Sequence, residues 1–233
     1  MPSTARFIRG PSPYSSGPIA RRAKVISMAS DDVCPDDVCP VVTIVSGLPR
    51  SGTSLMMQMI DTGGIPALTD ASRKPDEDNP RGYFEFQPVK RTAQDSSWLD
   101  LAAGKVVKVV HLLLLDLPLD KRFQYRVVMM RRHSDEVIAS QSKMLQRKGG
   151  KGSLLEAERL KTIYAGQMAK VEHHLQHNPQ AFAVLNVCYN DLLNNVKREI
   201  ERIDVFLGGG LDRSEMAAAL DPALYRNRVT PFV

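Results

Sequence analysis

From Val41 onward the chain alternates between short apolar runs and apolar residues at helical spacing. Val42-Thr43-Ile44-Val45 is an apolar-rich run closed by Ser46-Gly47-Leu48-Pro49, the pattern of a buried strand entering a glycine-bounded loop. Leu55, Met56, Met59 and Ile60 place a helix over Ser54 to Asp61, and Gly63-Gly64 stops it. Ile65 to Leu68 reads as extended. The polar run from Asp70 to Gly82, with Arg73, Lys74, Asp76, Glu77, Asp78 and Arg81, reads as a mobile loop over a site. A helix is predicted over Pro88 to Leu101, a buried strand over Val106 to Val110 carrying Lys108, a second strand over Gln124 to Met130, and a helix over Ser134 to Gln146. Beyond the flexible basic connection Arg147 to Gly152, the residues Leu160, Ile163, Tyr164, Met168, Val171 and Leu175 mark one face of a long helix. Phe182 to Val187 is the last strand. Leu192, Leu193, Val196, Ile200, Ile203 and Phe206 predict one helix running to Gly208. Repeated strand, loop and helix units imply an α/β fold with a parallel sheet covered on both faces, and ligands at the carboxyl ends of its strands.

Composition narrows this little. The 233 residues are 43% hydrophobic and 24% charged, which suits one sizeable core, so residues 41–233 read as a single domain behind a tail of residues 1–40. The formal charge of +5 is carried by Arg6, Arg9, Arg21, Arg22 and Lys24, in a stretch with no acid. The remaining chain is balanced, and no nucleic-acid partner is expected. The tail is rich in Ser, Pro and Arg, and reads as an organelle transit peptide, as a leader before a start at Met28, or as a plain flexible segment. Cys34, Cys39 and Cys188 make no disulfide framework and suit a reducing compartment. Leu112 to Leu115 is broken by Asp116 and Pro118, so no membrane association is expected. A soluble, cytoplasmic protein is the expectation, with an organelle as the alternative if residues 1–27 are a transit peptide. Nothing in the sequence sets the oligomeric state.

The loop after the first strand carries the chemistry. Gly47 and Gly52 occupy the two glycine positions of G-x-x-x-x-G-K-[ST], but Thr53 stands where a nucleotide triphosphatase keeps its lysine, and the cation sits inside the loop at Arg50. Backbone N–H groups and the positive end of the following helix still surround an anion. A second anion site is suggested by the strand ending at Arg131-Arg132, with Ser140 eight positions after Arg132: a strand-end guanidinium and a hydroxyl two helical turns on both donate to phosphate.

Pro49-Arg50-Ser51-Gly52-Thr53-Ser54 resembles the 5′-phosphosulfate loop P-[KR]-S-G-T-[ST] of sulfotransferases, and Arg132 with Ser140 is similar to their 3′-phosphate segment. Tyr189-x-Asp191-Leu192 and Phe206-Leu207-Gly208 resemble the family's carboxyl-terminal part, so the likeness runs from about Val41 to Gly208. It implies a three-layer P-loop nucleoside triphosphate hydrolase-like fold with a central parallel sheet. It also implies a 3′-phosphoadenosine 5′-phosphosulfate (PAPS) donor and a small-molecule or glycan acceptor with a hydroxyl or amine nucleophile. No metal is required. Catalysis is then an in-line displacement at sulfur, in which Arg50 neutralises developing charge and Lys108, on the strand where the family often carries a lysine, supplies a second cation.

The proton-accepting base has three candidates: Glu85, His111 and Asp70. His111 is one residue further from Lys108 than the family's Lys-x-His, and Asp70 and Glu85 correspond to the downstream glutamate of other members. His173 and His177 have i, i+4 spacing and read as an exposed helix face, and Arg226 and Arg228 as solvated tail charges. Two other readings remain: a P-loop kinase, disfavoured by the missing loop lysine, and a nucleotide-binding module without turnover.

Overall fold

The computed structural model describes residues 39–70, 72–76, 79, 81–147 and 154–221. The predicted tail up to residue 38, Glu77 and Asp78 of the polar loop, the connection from Lys148 to Gly152, and Arg226 and Arg228 lie outside them. Five strands, β1 (Val41–Gly47), β2 (Ala67–Leu68), β3 (Val106–Lys108), β4 (Gln124–Arg131) and β5 (Phe182–Cys188), form one sheet in the order β2-β3-β1-β4-β5. Every pairing is parallel, and Val45 of β1 stands level with Lys108 of β3 and Val128 of β4. Parallel strands need crossovers that cover both faces, which is why β1 is buried on both sides.

Alternate side chains feed two cores. Val42, Ile44, Val107, Val127 and Met129 pack with Trp98 and Leu99 of α2 (Trp98–Ala102) and with Met168, Val171 and Leu175 of α4 (Leu154–His177). Val45, Val106, Val128 and Met130 pack with Met56, Met57, Met59 and Ile60 of α1 (Thr53–Thr62), Leu192 of α5 (Tyr189–Asn194), Ile200 and Ile203 of α6 (Val196–Leu207), and Met216 of α7 (Arg213–Ala218). The architecture is therefore the expected three-layer α/β sandwich. The remaining helix, α3 (Ser134–Arg147), follows β4 as its sequence predicts.

The structure departs from the sequence reading in four places. The helix expected over Pro88 to Leu101 is a 3-10 turn, Gln87–Arg91, then an irregular stretch and short α2. Polar side chains intervene there: Thr92 Oγ1 donates to Val89 O at 2.6 Å, and Asp95 accepts from the Ser97 N–H at 2.9 Å. Strand β3 ends at Lys108, not Val110, and Val110 is 46% exposed. The helix expected from Leu192 to Phe206 is two, α5 and α6, broken at Asn195, whose φ of −133° and ψ of 51° are not helical. Helix α7 was not foreseen, although Asp212, accepting from the N–H groups of Ser214 and Glu215, gives it an ordinary N-cap signature. Among the described residues no helix is long and apolar enough to cross a membrane.

Candidate active site

β1, β3 and β4 end together, and the residues that follow them converge. The loop Leu48 to Gly52 turns back on itself where Ser51 N–H and Oγ both donate to Leu48 O, at 3.2 and 2.7 Å. Its glycines are sterically required. A Cβ on Gly47, at φ 149°, would sit 2.6 Å from Met130 O, and one on Gly52, at φ 100°, would sit 2.4 Å from Tyr189 Cδ2. Arg50 itself holds a left-handed φ of 70°, a conformation costing about 1 kcal/mol or more for a residue with a side chain. Helix α1 then starts at Thr53 with no side-chain cap on its first-turn N–H groups, and Thr53 and Ser54 border the same cavity as the loop.

The two predicted anchors meet. Arg50 Nε donates to Ser140 Oγ at 2.9 Å, and Arg132 Nη1 donates to Arg50 O at 3.1 Å. Arg132 is held by Glu136 of α3, Nε to Oε2 at 2.7 Å, with both side chains almost fully buried, and its guanidinium lies 4.6 Å over the Tyr189 ring. Asn190 Nδ2 donates to the other carboxylate oxygen of Glu136 at 3.1 Å. This clamp fixes the orientation of the Arg132 guanidinium at the border of a cavity.

Lys108, at the end of β3, reaches the same space. Its Nζ donates to Ser54 Oγ at 2.9 Å and to Tyr83 O at 2.8 Å, while Asn79 Nδ2 also donates to Ser54 Oγ at 2.8 Å. Burial pushes its pKa down to about 8, Glu85 pushing it back up and Arg73 and Arg50 lowering it further. A cation held this way is short of a counter-charge. The cavity that these elements enclose measures about 440 Å³, and is bordered by Arg50, Gly52, Thr53, Ser54, Lys108, Arg132 and Ser140 together with Arg73, Arg81 and Lys143. Among the described residues two carboxylates, Glu85 and Asp221, border it. Such a balance suits a polyanionic ligand.

The base candidates separate. Glu85 lines the cavity, with Oε1 3.2 Å from Arg73 Nη1 and Oε2 3.2 Å from Lys90 Nζ. Burial raises its pKa, but the bonds from Lys90 and Arg73 outweigh that and hold the carboxyl below its ordinary value. His111 does not border the cavity: it is 3% exposed, and its Nε2 meets Gln167 Oε1 of α4 at 2.9 Å. Asp70 does not border it either. Its carboxylate accepts from the N–H groups of Gln87 at 2.6 Å and Ser72 at 2.9 Å, and so ties together the two ends of the segment that contains Glu85. His173 and His177 stack on each other, 3.9 Å between centroids, and no group of three metal-ligating side chains occurs among the described residues.

Several cavity residues had no site role in the sequence reading. Tyr189 was visible only as part of Tyr-x-Asp-Leu, although an aromatic after a strand end is a ready platform for a base or a guanidinium. Arg73 and Arg81 were seen as loop charges. Here Arg73 lies 3.2 Å over the Tyr83 ring, and Arg81 donates to Ala219 O at 2.6 Å and pairs with Asp221 at 3.3 Å. Tyr83 donates to Asp76, and burial with that bond raises its pKa to about 12, so it stays a neutral phenol.

No family model and no curated protein matches the chain. Among the solved structures to which it is similar are three with the following likeness. The first is the sulfotransferase domain of the olefin synthase from Synechococcus PCC 7002: 15% identity, 85% of this chain and 92% of that one, TM-score 0.48. The second is the sulfotransferase domain from the curacin biosynthetic pathway: 14% identity, 78% and 83%, TM-score 0.47. The third is retinol dehydratase in complex with androsterone and the inactive cofactor PAP: 17% identity, 76% and 62%, TM-score 0.43.

Proposed function

We propose that the chain transfers a sulfuryl group from 3′-phosphoadenosine 5′-phosphosulfate to a hydroxyl or amine of a small-molecule acceptor. One observation carries this reading: two cationic motifs 82 residues apart in the chain, the Arg50 loop and Arg132 with Ser140, border a single cavity at the strand ends. The loop would take the 5′-phosphosulfate on its N–H groups and on the start of α1, and Arg132 with Ser140 would take the 3′-phosphate. Tyr189, whose ring lies under Arg132 and borders the cavity, would stack with the adenine.

In the reaction the acceptor's oxygen or nitrogen attacks sulfur and the bond from sulfur to the bridging phosphate oxygen breaks. Adenosine 3′,5′-bisphosphate leaves, and the nucleophile's proton passes to a base. Arg50 and Lys108 neutralise the charge that builds on the sulfuryl and bridging oxygens. Of the three base candidates Glu85 alone lines the cavity, and its ion pairs keep it ionised and so able to accept the proton. Its lowered pKa makes it a weak base, suited to a transfer late in the displacement, when the nucleophile has become acidic.

Calorimetry tests the donor assignment. Adenosine 3′,5′-bisphosphate should bind more tightly than ATP, with little dependence on magnesium. Tighter, magnesium-dependent ATP binding would instead point to a phosphotransferase.

A further inference from the structure

Polar residues between Asp76 and Tyr83 close a ring of hydrogen bonds with the start of α1. Asn79 Nδ2 donates to Ser54 Oγ at 2.8 Å, and the Asn79 N–H donates to Asp76 Oδ1 at 3.0 Å. The carboxylate of Asp76 accepts from the Tyr83 hydroxyl at 2.6 Å. Tyr83 O accepts from Lys108 Nζ at 2.8 Å, and Lys108 Nζ returns to Ser54 Oγ at 2.9 Å. Asn79 is held by its backbone, whose N–H also donates to Asp76 O at 3.1 Å and whose carbonyl accepts from the Gly82 N–H at 3.1 Å. Asparagine in a turn commonly bonds its side chain to the nearby backbone. Here Asp76 takes that part, and the Asn79 amide reaches a hydroxyl 25 positions back along the chain.

The ring fixes more than the place of Ser54. A serine hydroxyl has two accepting lone pairs and one hydrogen. Both lone pairs are taken, by an amide N–H and an ammonium, neither of which can accept the hydrogen in return. The hydrogen is left the remaining direction of the oxygen, and Ser54 borders the cavity beside Gly52, Thr53 and Lys108.

We propose that Asn79 is a positioning residue for the donor: with Lys108 it fills the accepting side of Ser54 Oγ and so commits that hydroxyl to donate to an oxygen of the donor's 5′-phosphate. The inference rests on the donor reading above, and Asn79 acts through Ser54. A hydroxyl set in advance spares the reorientation that a free rotor would undergo when the anion arrives.

Calorimetry on the full chain with adenosine 3′,5′-bisphosphate and adenosine 3′-phosphate tests this. Ser54→Ala should weaken the bisphosphate about tenfold, the loss of one hydrogen bond to a charged oxygen. Asn79→Asp keeps the side chain's shape but offers only acceptors, so Ser54 turns its hydrogen away from the ligand, and the bisphosphate should again weaken about tenfold or more. In a protein already carrying Ser54→Ala, the effect of Asn79→Asp should shrink about fivefold, because no hydroxyl remains to be turned. Asn79→Ala, which adds no charge and leaves the turn's backbone bonds in place, should weaken the bisphosphate about threefold and leave adenosine 3′-phosphate within about twofold. Equal losses for the two nucleotides, or effects of Ser54→Ala and Asn79→Asp that simply multiply, would make Asn79 a turn residue and overturn the proposal. So would Asn79 variants that bind like the wild type while Ser54→Ala does not; that result would leave the donor reading intact. A wild type that does not bind the bisphosphate removes the donor reading itself, and this inference with it.

Discussion

Lys108 shows how one buried residue can be held ready for a ligand. Its ammonium is supported by two neutral acceptors, Ser54 and Tyr83 O, and burial has moved its pKa to about 8. A polyanionic donor binds the protonated form, so affinity for adenosine 3′,5′-bisphosphate should be constant below that value and fall about tenfold per unit above it. Calorimetry across the alkaline range checks this. Lys108→Met should bind more weakly and lose the alkaline step; a variant that keeps the step would assign it to another group. The sign for stability is opposite. Between about 8 and the ordinary 10.5 the unfolded chain holds the extra proton, so the ligand-free protein should become more stable as pH rises through that window.

Between elements, the clamp joining the end of β4 to α3 deserves a separate test, because it serves binding and folding at once. Arg132→Ala should weaken adenosine 3′,5′-bisphosphate by about 1.5–3 kcal/mol more than adenosine 5′-phosphate, the loss expected when a charged hydrogen bond disappears. It also leaves the carboxylate of Glu136, only 2% exposed, with Asn190 in place of its cation, so the fold should lose about 3 kcal/mol in urea titration. Adding Glu136→Gln removes the stranded charge: stability should recover while affinity does not. If both recovered together, Arg132 would have acted only through the fold. The sequence displayed β4 and α3 plainly, because solid apolar runs and helical spacing are local signals, whereas the pairing of Arg132 with Glu136 came only from the structure. It did not display the breaks at Thr92 to Ser97 and at Asn195. The first depends on side-chain hydrogen bonds that override an apolar period, and at Asn195 the same period is compatible with one helix or two.

For the whole molecule, legibility followed sequence distance. The loop from Gly47 to Ser54 and the pair Arg132 and Ser140 were each readable because their residues are near neighbours, and the parallel sheet then had to bring them to one edge. Arg73, Arg81 and Tyr189 come from loops and strand ends whose convergence no local pattern encodes, and the burial of His111 against Gln167 depends on how α4 crosses the sheet. The cavity is thus a product of the assembled layers: α1, β3, Arg132 just after β4, α3, and residues Arg73 and Glu85 each supply part of it. A ligand that bridges them binds the folded state alone, so at a hundredfold excess over its dissociation constant it should add about 2.7 kcal/mol to stability. For a chain of this length that corresponds to a rise in Tm of roughly 5–10 °C, measurable by differential scanning. Adenosine 3′,5′-bisphosphate should produce the full rise at a lower concentration than adenosine 5′-phosphate, since only the former spans both anchors. Equal potency of the two nucleotides would mean that the Arg132 side of the cavity takes no phosphate, and the donor reading would fail with it.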